Sequence, residues 1–402
     1  MIGHILRIML LFMPSVFACD VSAQRVRLLP PEPSTEPIVS AEGIRSLTDA
    51  VTAYEIIAHH GGWPVIPGTK ALRLGDDEDR VPLLEARLRA TGDLTGRPRR
   101  STVFDTDIEA AVRRFQVRHG LEPNGVAHGL TLKSLNVTAA ERVAQLKANL
   151  TRMLDLQPRL TANRYIVMNA ASFEIQAIEN GRVAVAGRTI VGKRQTQTPT
   201  ISATVQAVNI LPYWHVPASI AEAALVPMVQ KDPGYLQRER IRVFSSFGGG
   251  ELNPAQINWW GPETKRLVFR QDPGPQNALG LIRLDMPNRH VVYMHDTPMK
   301  PLFNSFERAF SAGCVRVQSV FDLAEWLLAR QDFDADRLEQ AALAGRAETI
   351  KLATPVPVHF VYLTAWADES TAHFRNDLYN RDNDADDGDV RSQKLAGVQI
   401  AP

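Results

Sequence analysis

Residues 164–185 read Arg164-Tyr165-Ile166-Val167-Met168-Asn169-Ala170-Ala171-Ser172-Phe173-Glu174-Ile175-Gln176-Ala177-Ile178-Glu179-Asn180-Gly181-Arg182-Val183-Ala184-Val185. Two runs rich in β-branched and aromatic residues lead to Asn180-Gly181, a dipeptide that marks a two-residue hairpin because both positions tolerate positive φ. The second half of the chain, from about residue 161, is therefore expected to be strand-rich. What precedes it has helical periodicity. Ile108, Ala111, Val112 and Phe115 recur at i, i+3, i+4 and i+7, which predicts a helix over 106–116 that Asp105 and Asp107 cap and charge at its start. Residues 81–88 give another, with Pro82 tolerable in a first turn, and a short third helix follows Gly129 to Leu135. Val143, Leu146, Leu150, Met153 and Leu154 form the apolar face of a bridging helix that ends at Leu156.

The pattern predicts a multidomain α+β protein: a proline-rich linker over 24–50, a small helical module with flanking scaffold over 51–140, a bridging helix over 141–160, and a mostly β domain over 161–382. Within the scaffold a short helix runs from Val51 to His59, where Gly61-Gly62-Trp63-Pro64 breaks it. Residues 218–278, with Gly248-Gly249-Gly250 and Trp259-Trp260, read as a more helical or irregular insertion in the sheet domain. The acidic end, with Asp382, Asp384, Asp386, Asp387 and Asp389, lacks the spacing of a calcium loop and reads as a solvated, disordered tail over 383–402.

With 402 residues the chain is long enough for two or three folded units. Its 45 basic and 44 acidic residues leave a net charge of +1, so no global field draws it to nucleic acid. At the N-terminus, His4 and Arg7 precede an apolar run over 8–13, and Val21-Ser22-Ala23 offers small residues for cleavage, the pattern of a signal peptide over 1–23. Val16-Phe17-Ala18-Cys19 is the alternative, a lipoprotein box with a bulky Phe17 and lipid anchoring at Cys19. No later stretch reaches the roughly 18 uninterrupted apolar residues of a membrane span. Either leader implies export to the periplasm or cell envelope, with Cys314 the single thiol of the folded chain. An exported protein that keeps an unpaired cysteine is expected to use it chemically.

That cysteine lies in Ser311-Ala312-Gly313-Cys314-Val315-Arg316-Val317, and Val291 through Pro298 reads as a strand with His295 near its end, 19 positions upstream of Cys314. A histidine within reach of a thiol takes its proton and returns it to a leaving amine. Ala312 and Gly313 leave room for substrate and for backbone N–H groups aimed at an oxyanion, and Arg316 supplies an electropositive setting that favours thiolate. The pair is a candidate acyl-transfer site.

Two resemblances add to this reading. The FQ of Phe115-Gln116, the HGL of His119-Gly120-Leu121, Asn124-Gly125 and the TL of Thr131-Leu132 resemble the three-helix peptidoglycan-binding module of bacterial cell-wall enzymes. His295-Asp296-Thr297-Pro298, residues 308–317, Asn209 to Pro217, Asp272 to Gly280 and Met286-Pro287-Asn288-Arg289 resemble the YkuD-type L,D-transpeptidases, in the larger proteobacterial branch. The resemblance implies a YkuD-type catalytic domain with an inserted lid. It makes Cys314 the nucleophile, His295 the general base, Gly313 and Cys314 the oxyanion amides, Arg316 a loop-orienting or carboxylate-binding group, and Ser311 the family's Ser/Thr position. Tyr213, Trp214, Tyr293 and Asn304 become candidate substrate contacts, and Trp259 and Trp260 candidate lid walls. Ala312 stands where smaller members carry histidine. Peptidoglycan tetrapeptide stems would be donor and acceptor, other cell-wall synthesis enzymes partners, carbapenems inhibitors, and no metal or organic cofactor is called for. Three rivals remain at this level: the same site using water, as an L,D-carboxypeptidase or endopeptidase; a zinc peptidase, for which His59, His60, His119 and His128 show no ligand spacing; and a non-catalytic wall-binding protein with an inert Cys314.

Overall fold

In the computed structural model, residues 32–382 are described, apart from 100, 330, 332–335, 337, 339, 342, 343, 346, 369 and 370. The leader, Cys19 and the 383–402 tail lie outside the described residues. Among the described residues five helices come first: α1 (Ala41–His59), α2 (Val81–Ala90), α3 (Thr106–Arg118), α4 (Leu130–Leu135) and α5 (Ala139–Leu156). Asp105 caps α3 by accepting from the Asp107 and Ile108 amides, and Thr138 and Glu141 form a capping box on α5. Leu84, Leu88, Phe104, Val112, Phe115 and Leu135, all fully buried, form the core that α2, α3 and α4 share.

The linker reading fails from residue 41 onward. Ser40 accepts from the Gly43 amide and starts α1 ten residues before the predicted helix, because Leu47, Val51 and Tyr54 pack against α5 residues Leu146 and Met153. Ahead of it, residues 34–38 are strapped onto the β domain by Gln176, which accepts from the Ile38 amide and donates to the Ser34 and Glu36 carbonyls.

The β domain contributes β1 (Arg164–Asn169), β2 (Glu174–Glu179), β3 (Arg182–Gly192), β4 (Ile201–Ile210), β5 (Trp214–Val216), β6 (Ile241–Phe244), β7 (Glu251–Leu252), β8 (Val268–Gln271), β9 (Ile282–Asp285), β10 (Met294–His295), β11 (Ala309–Ser311), β12 (Val315–Val317), β13 (Glu348–Val361), β14 (Ala365–Asp368) and β15 (Thr371–Phe374). Asn180 and Gly181 hold φ of 51° and 77° between β2 and β3, as a tight hairpin requires. The main sheet runs β11-β3-β12-β10-β9-β4-β13-β1-β2, and β2 pairs again with β3, so it closes on itself around one core. The strand predicted from Val291 through Pro298 shrinks to Met294 and His295, since Val291 sits at φ 53°, outside strand geometry.

The insertion is a small unit with its own core, and its mixed character corrects the helical or irregular reading. Helical turns over 218–231 pack through Leu225 and Val229 onto a sheet ordered β5-β8-β6-β7. It starts at Trp214, earlier than Ala218, because β5 pairs with β8.

The helical module is bolted to the β domain through buried cations. Arg118 pairs with Asp93 at 2.6 Å and donates to the Ala372 carbonyl, while Arg375 donates to the Arg118 carbonyl. His119 stacks between Phe115 and Phe374, with ring centroids 3.7 and 5.2 Å away, and burial holds it far below the usual imidazole range. Asp382 belongs to this framework and not to a tail: it accepts from Arg152 at 2.7 Å and from the Thr364 hydroxyl. Removing one partner of a buried ion pair costs about 3–5 kcal/mol. Asp93→Ala is therefore expected to lower the unfolding free energy by about that amount in urea titration; a loss below about 1 kcal/mol would show the Asp93–Arg118 pair to be dispensable.

Candidate active site

Side chains on adjacent strands alternate between two faces, and here the register sorts chemistry from packing. Met294 pairs with Leu284 and Val315, and all three enter the core. One residue on, His295 pairs with Arg283 on β9 and Arg316 on β12, so these three polar side chains form a row on the opposite face. Two residues back along each strand stand Tyr293 and Cys314, joined where the Val315 amide donates to the Tyr293 carbonyl at 2.9 Å. Sequence-distant Cys314 and His295 thus become diagonal neighbours across β10 and β12.

His295 is buried, and its Nδ1 donates to the Asp296 carbonyl at 2.5 Å, which leaves Nε2 with a free lone pair. Burial first, then the charge of Arg316, lowers its pKa to about 4, against the carbonyls of Asp296 and Leu279 that favour the charged form. The imidazole is neutral at pH 7, a base and not an acid. Cys314 is half-buried. Enough protein surrounds the sulfur that burial pushes its pKa up, and the Tyr293 amide and Arg316 only moderate the rise. Arg316 favours the thiolate as expected, but burial outweighs it. The resting pair is thiol and imidazole, and Cys314 makes no hydrogen bond to His295 among the described residues.

The nucleophile loop is held by hydroxyls. Ser311 donates from Oγ to the Cys314 carbonyl at 2.6 Å and accepts from the Gly313 amide at 3.0 Å. Gly313 therefore spends its N–H inside the loop, so the Gly313 half of the expected oxyanion hole is corrected; the Cys314 amide has no partner among the described residues. Gly313 itself sits at φ 123°, where a side chain would be strained. Thr198, fully buried, accepts from the Gly192 amide at 2.9 Å and donates to the Gly313 carbonyl at 2.8 Å. Behind it the Tyr379 hydroxyl donates to the Gly192 carbonyl at 2.7 Å. Sequence reading missed Thr198 and Tyr379 because neither lies in a chemical motif.

Asp296 holds the base. Its carboxylate accepts from the Leu281 amide at 3.0 Å and pairs with Lys300, and its own amide donates to the Ile282 carbonyl. Gly280, at φ 64°, is required where it stands because a Cβ would run into the Asp296 carboxylate. Asn277, also buried, donates to the Pro212 carbonyl and accepts from the Leu279 amide, tying this loop to the start of the insertion.

Of the expected substrate contacts, Tyr293 shares the face of Cys314, and burial raises its hydroxyl pKa while Arg283 opposes the rise. Tyr213 is exposed beside Arg270, while Trp214 packs partly into the insertion core. Trp259 packs there too and Trp260 is exposed. Asn304 ends the 3₁₀ turn Lys300–Asn304 and makes no hydrogen bond to Cys314 among the described residues. No group of three or more His, Cys, Asp or Glu that could hold a metal occurs among the described residues.

Residues 163–358 match the family model described as YkuD, the L,D-transpeptidase catalytic domain. These residues belong to the YkuD family. Residues 77–135 match the model described as a putative peptidoglycan binding domain. A protein of Haemophilus influenzae named putative L,D-transpeptidase is 28% identical over 217 residues, 54% of this chain and 44% of that protein, so the chain spans under half of its relative's length. Among solved structures, an L,D-transpeptidase (Yku) from Stackebrandtia nassauensis is 12% identical, covers 73% of this chain and 97% of its own, and gives a TM-score of 0.27. An L,D-transpeptidase from Mycobacterium smegmatis is 14% identical over 50% of this chain and 59% of its own, with a TM-score of 0.26. Overlays that loose carry no argument about chemistry.

The YkuD-family domain of this chain keeps its thiol protonated by burial. Alkylation of Cys314 by iodoacetamide is expected to be slower than that of free cysteine at pH 7 and to climb with pH past 9. A plateau below pH 7 would contradict this placement.

Proposed function

We propose that this protein is a peptidoglycan L,D-transpeptidase that works through a thioester on Cys314. The observation that carries the reading is the pairing of β10 with β12 in a YkuD-family domain, which sets a neutral buried imidazole diagonal to a lone thiol. A donor stem's third-residue carbonyl, typically of diaminopimelate, is attacked by sulfur as His295 Nε2 takes the thiol proton. The C–S bond forms, the C–N bond to the terminal D-alanine breaks, and the proton passes from His295 to the departing amine. An acceptor amine from a second stem then attacks the thioester. Its proton moves to His295 and on to the sulfur as the C–S bond breaks, leaving a cross-link between third residues. No electron changes hands, so no redox partner is needed.

The other residues take narrower parts. The Cys314 amide stabilises the oxyanion. Arg316, whose buried Nε has no hydrogen-bond partner, receives the donor's terminal carboxylate before D-alanine leaves. Ser311, Thr198 and Asp296 are positioning residues. The docked helical module anchors the enzyme on the wall, the leader pattern over 1–23 supports export to the periplasm, and carbapenems acylate the same sulfur. Other cell-wall synthesis enzymes are proposed partners.

Mass spectrometry of disaccharide-tetrapeptide incubated with residues 24–402 tests this. A cross-linked dimer lacking one D-alanine is expected, and none with Cys314→Ala. Tripeptide monomer alone would move the assignment to the hydrolase, and unchanged substrate would favour the binding protein. His295→Gln is expected to lower kcat/KM by about 10²–10⁴. The wild-type acid limb should lie near pH 4, because the base is lost only when the imidazole is protonated, so an acid limb at 6 to 7 would contradict a neutral buried His295.

A further inference from the structure

The polar row that contains Arg316 and His295 continues away from the nucleophile. Asn209 on β4 pairs with Arg283, and Thr349 on β13 pairs with Asn209. At this end opens a cavity of about 280 Å³ whose walls include Asn209, Tyr213, His215, Arg283 and Thr349, with Glu348 exposed on the rim. A second guanidinium comes from the insertion: Arg270 pairs with His215 across β5 and β8 and lies 4.6 Å over the Tyr213 ring. After burial, the charges of Arg270 and Arg283 are what lower the His215 pKa, so both cations lie close to this ring.

The two guanidinium groups are only partly paired. Asp285 reaches one Arg283 nitrogen only at 3.6 Å, and the Nε atoms of Arg283 and Arg270 are both buried without a hydrogen-bond partner. Buried charged donors left unmade are costly, and a planar carboxylate is the ligand that guanidinium forks match best. We propose that this cavity is a carboxylate subsite for the donor stem, bound by Arg283 and Arg270. The proposal rests on the acyl-transfer reading above.

Distance decides which carboxylate. The terminal carboxylate lies one residue past the reacting carbonyl, about 3.5 Å of extended chain, and stays near Cys314 and Arg316. From β12 through β10 to β9 is two strand spacings, about 10 Å. The cavity therefore receives a carboxylate on the part of the donor that is retained in the thioester.

Intact-protein mass spectrometry of thioester formation tests this with two tetrapeptides. One carries all its carboxylates free; in the other only the terminal carboxylate is free and the rest are amidated. For the wild type, amidation is expected to raise the concentration for half-maximal acylation about tenfold, with the limiting rate within twofold. Arg270→Gln and Arg283→Gln should each weaken the free-carboxylate peptide to that level and become indifferent to amidation. Two variants on separate sheets keep the test valid if one misfolds. Equal acylation of the wild type by both peptides overturns the subsite, as does a tenfold preference that survives in the variants. No thioester from either peptide overturns the acyl-transfer reading, and the subsite with it.

Discussion

The register between β9, β10 and β12 is the constraint on which the rest of this structure depends. Strand side chains alternate with a period of two, so one residue of slip would drive His295, Arg283 and Arg316 into the apolar core and expose Met294, Leu284 and Val315. Burying three such groups unpaired is prohibitive. The hydrophobic core therefore fixes the site: the same pairing that buries Met294 at 0% exposure aims His295 the other way. Chemistry needs the base near the thiol, and packing guarantees it.

Burial then settles the electrostatics. A thiolate–imidazolium pair would need both groups charged in a crowded site, and desolvation is the largest influence on each, lowering the imidazole and raising the thiol. Arg316 opposes the rise at sulfur while adding to the fall at His295, and it is outweighed at the first. A neutral pair protects a lone thiol, since the thiolate is the readily oxidised form.

Much of this was legible in the sequence for physical reasons. The stripe of Ile108, Ala111, Val112 and Phe115 and the Asn180-Gly181 turn are local signals, and helix α3 and the β2–β3 hairpin form there. Cys314 and His295 stood out by residue type. The start of α1 did not, because its first turns are stabilised by contacts with α5, far away in sequence. Nor did the insertion's small sheet, whose β7 has only two residues. Thr198, Tyr379 and Asn277 hold the site through hydrogen bonds to backbone, and no spacing rule flags a threonine that bridges Gly192 to Gly313. That burial outweighs Arg316 at the thiol also required the fold, since proximity to an arginine alone points toward thiolate.

The most direct measurement of the central claim is a pH titration of the His295 ring by ¹⁵N NMR in the full chain. A neutral ring at pH 7, protonated at Nδ1 and titrating near pH 4, is what this account requires. An imidazolium at pH 7 that turns neutral when Cys314 is replaced by alanine would contradict it, because the resting pair would then be ionic.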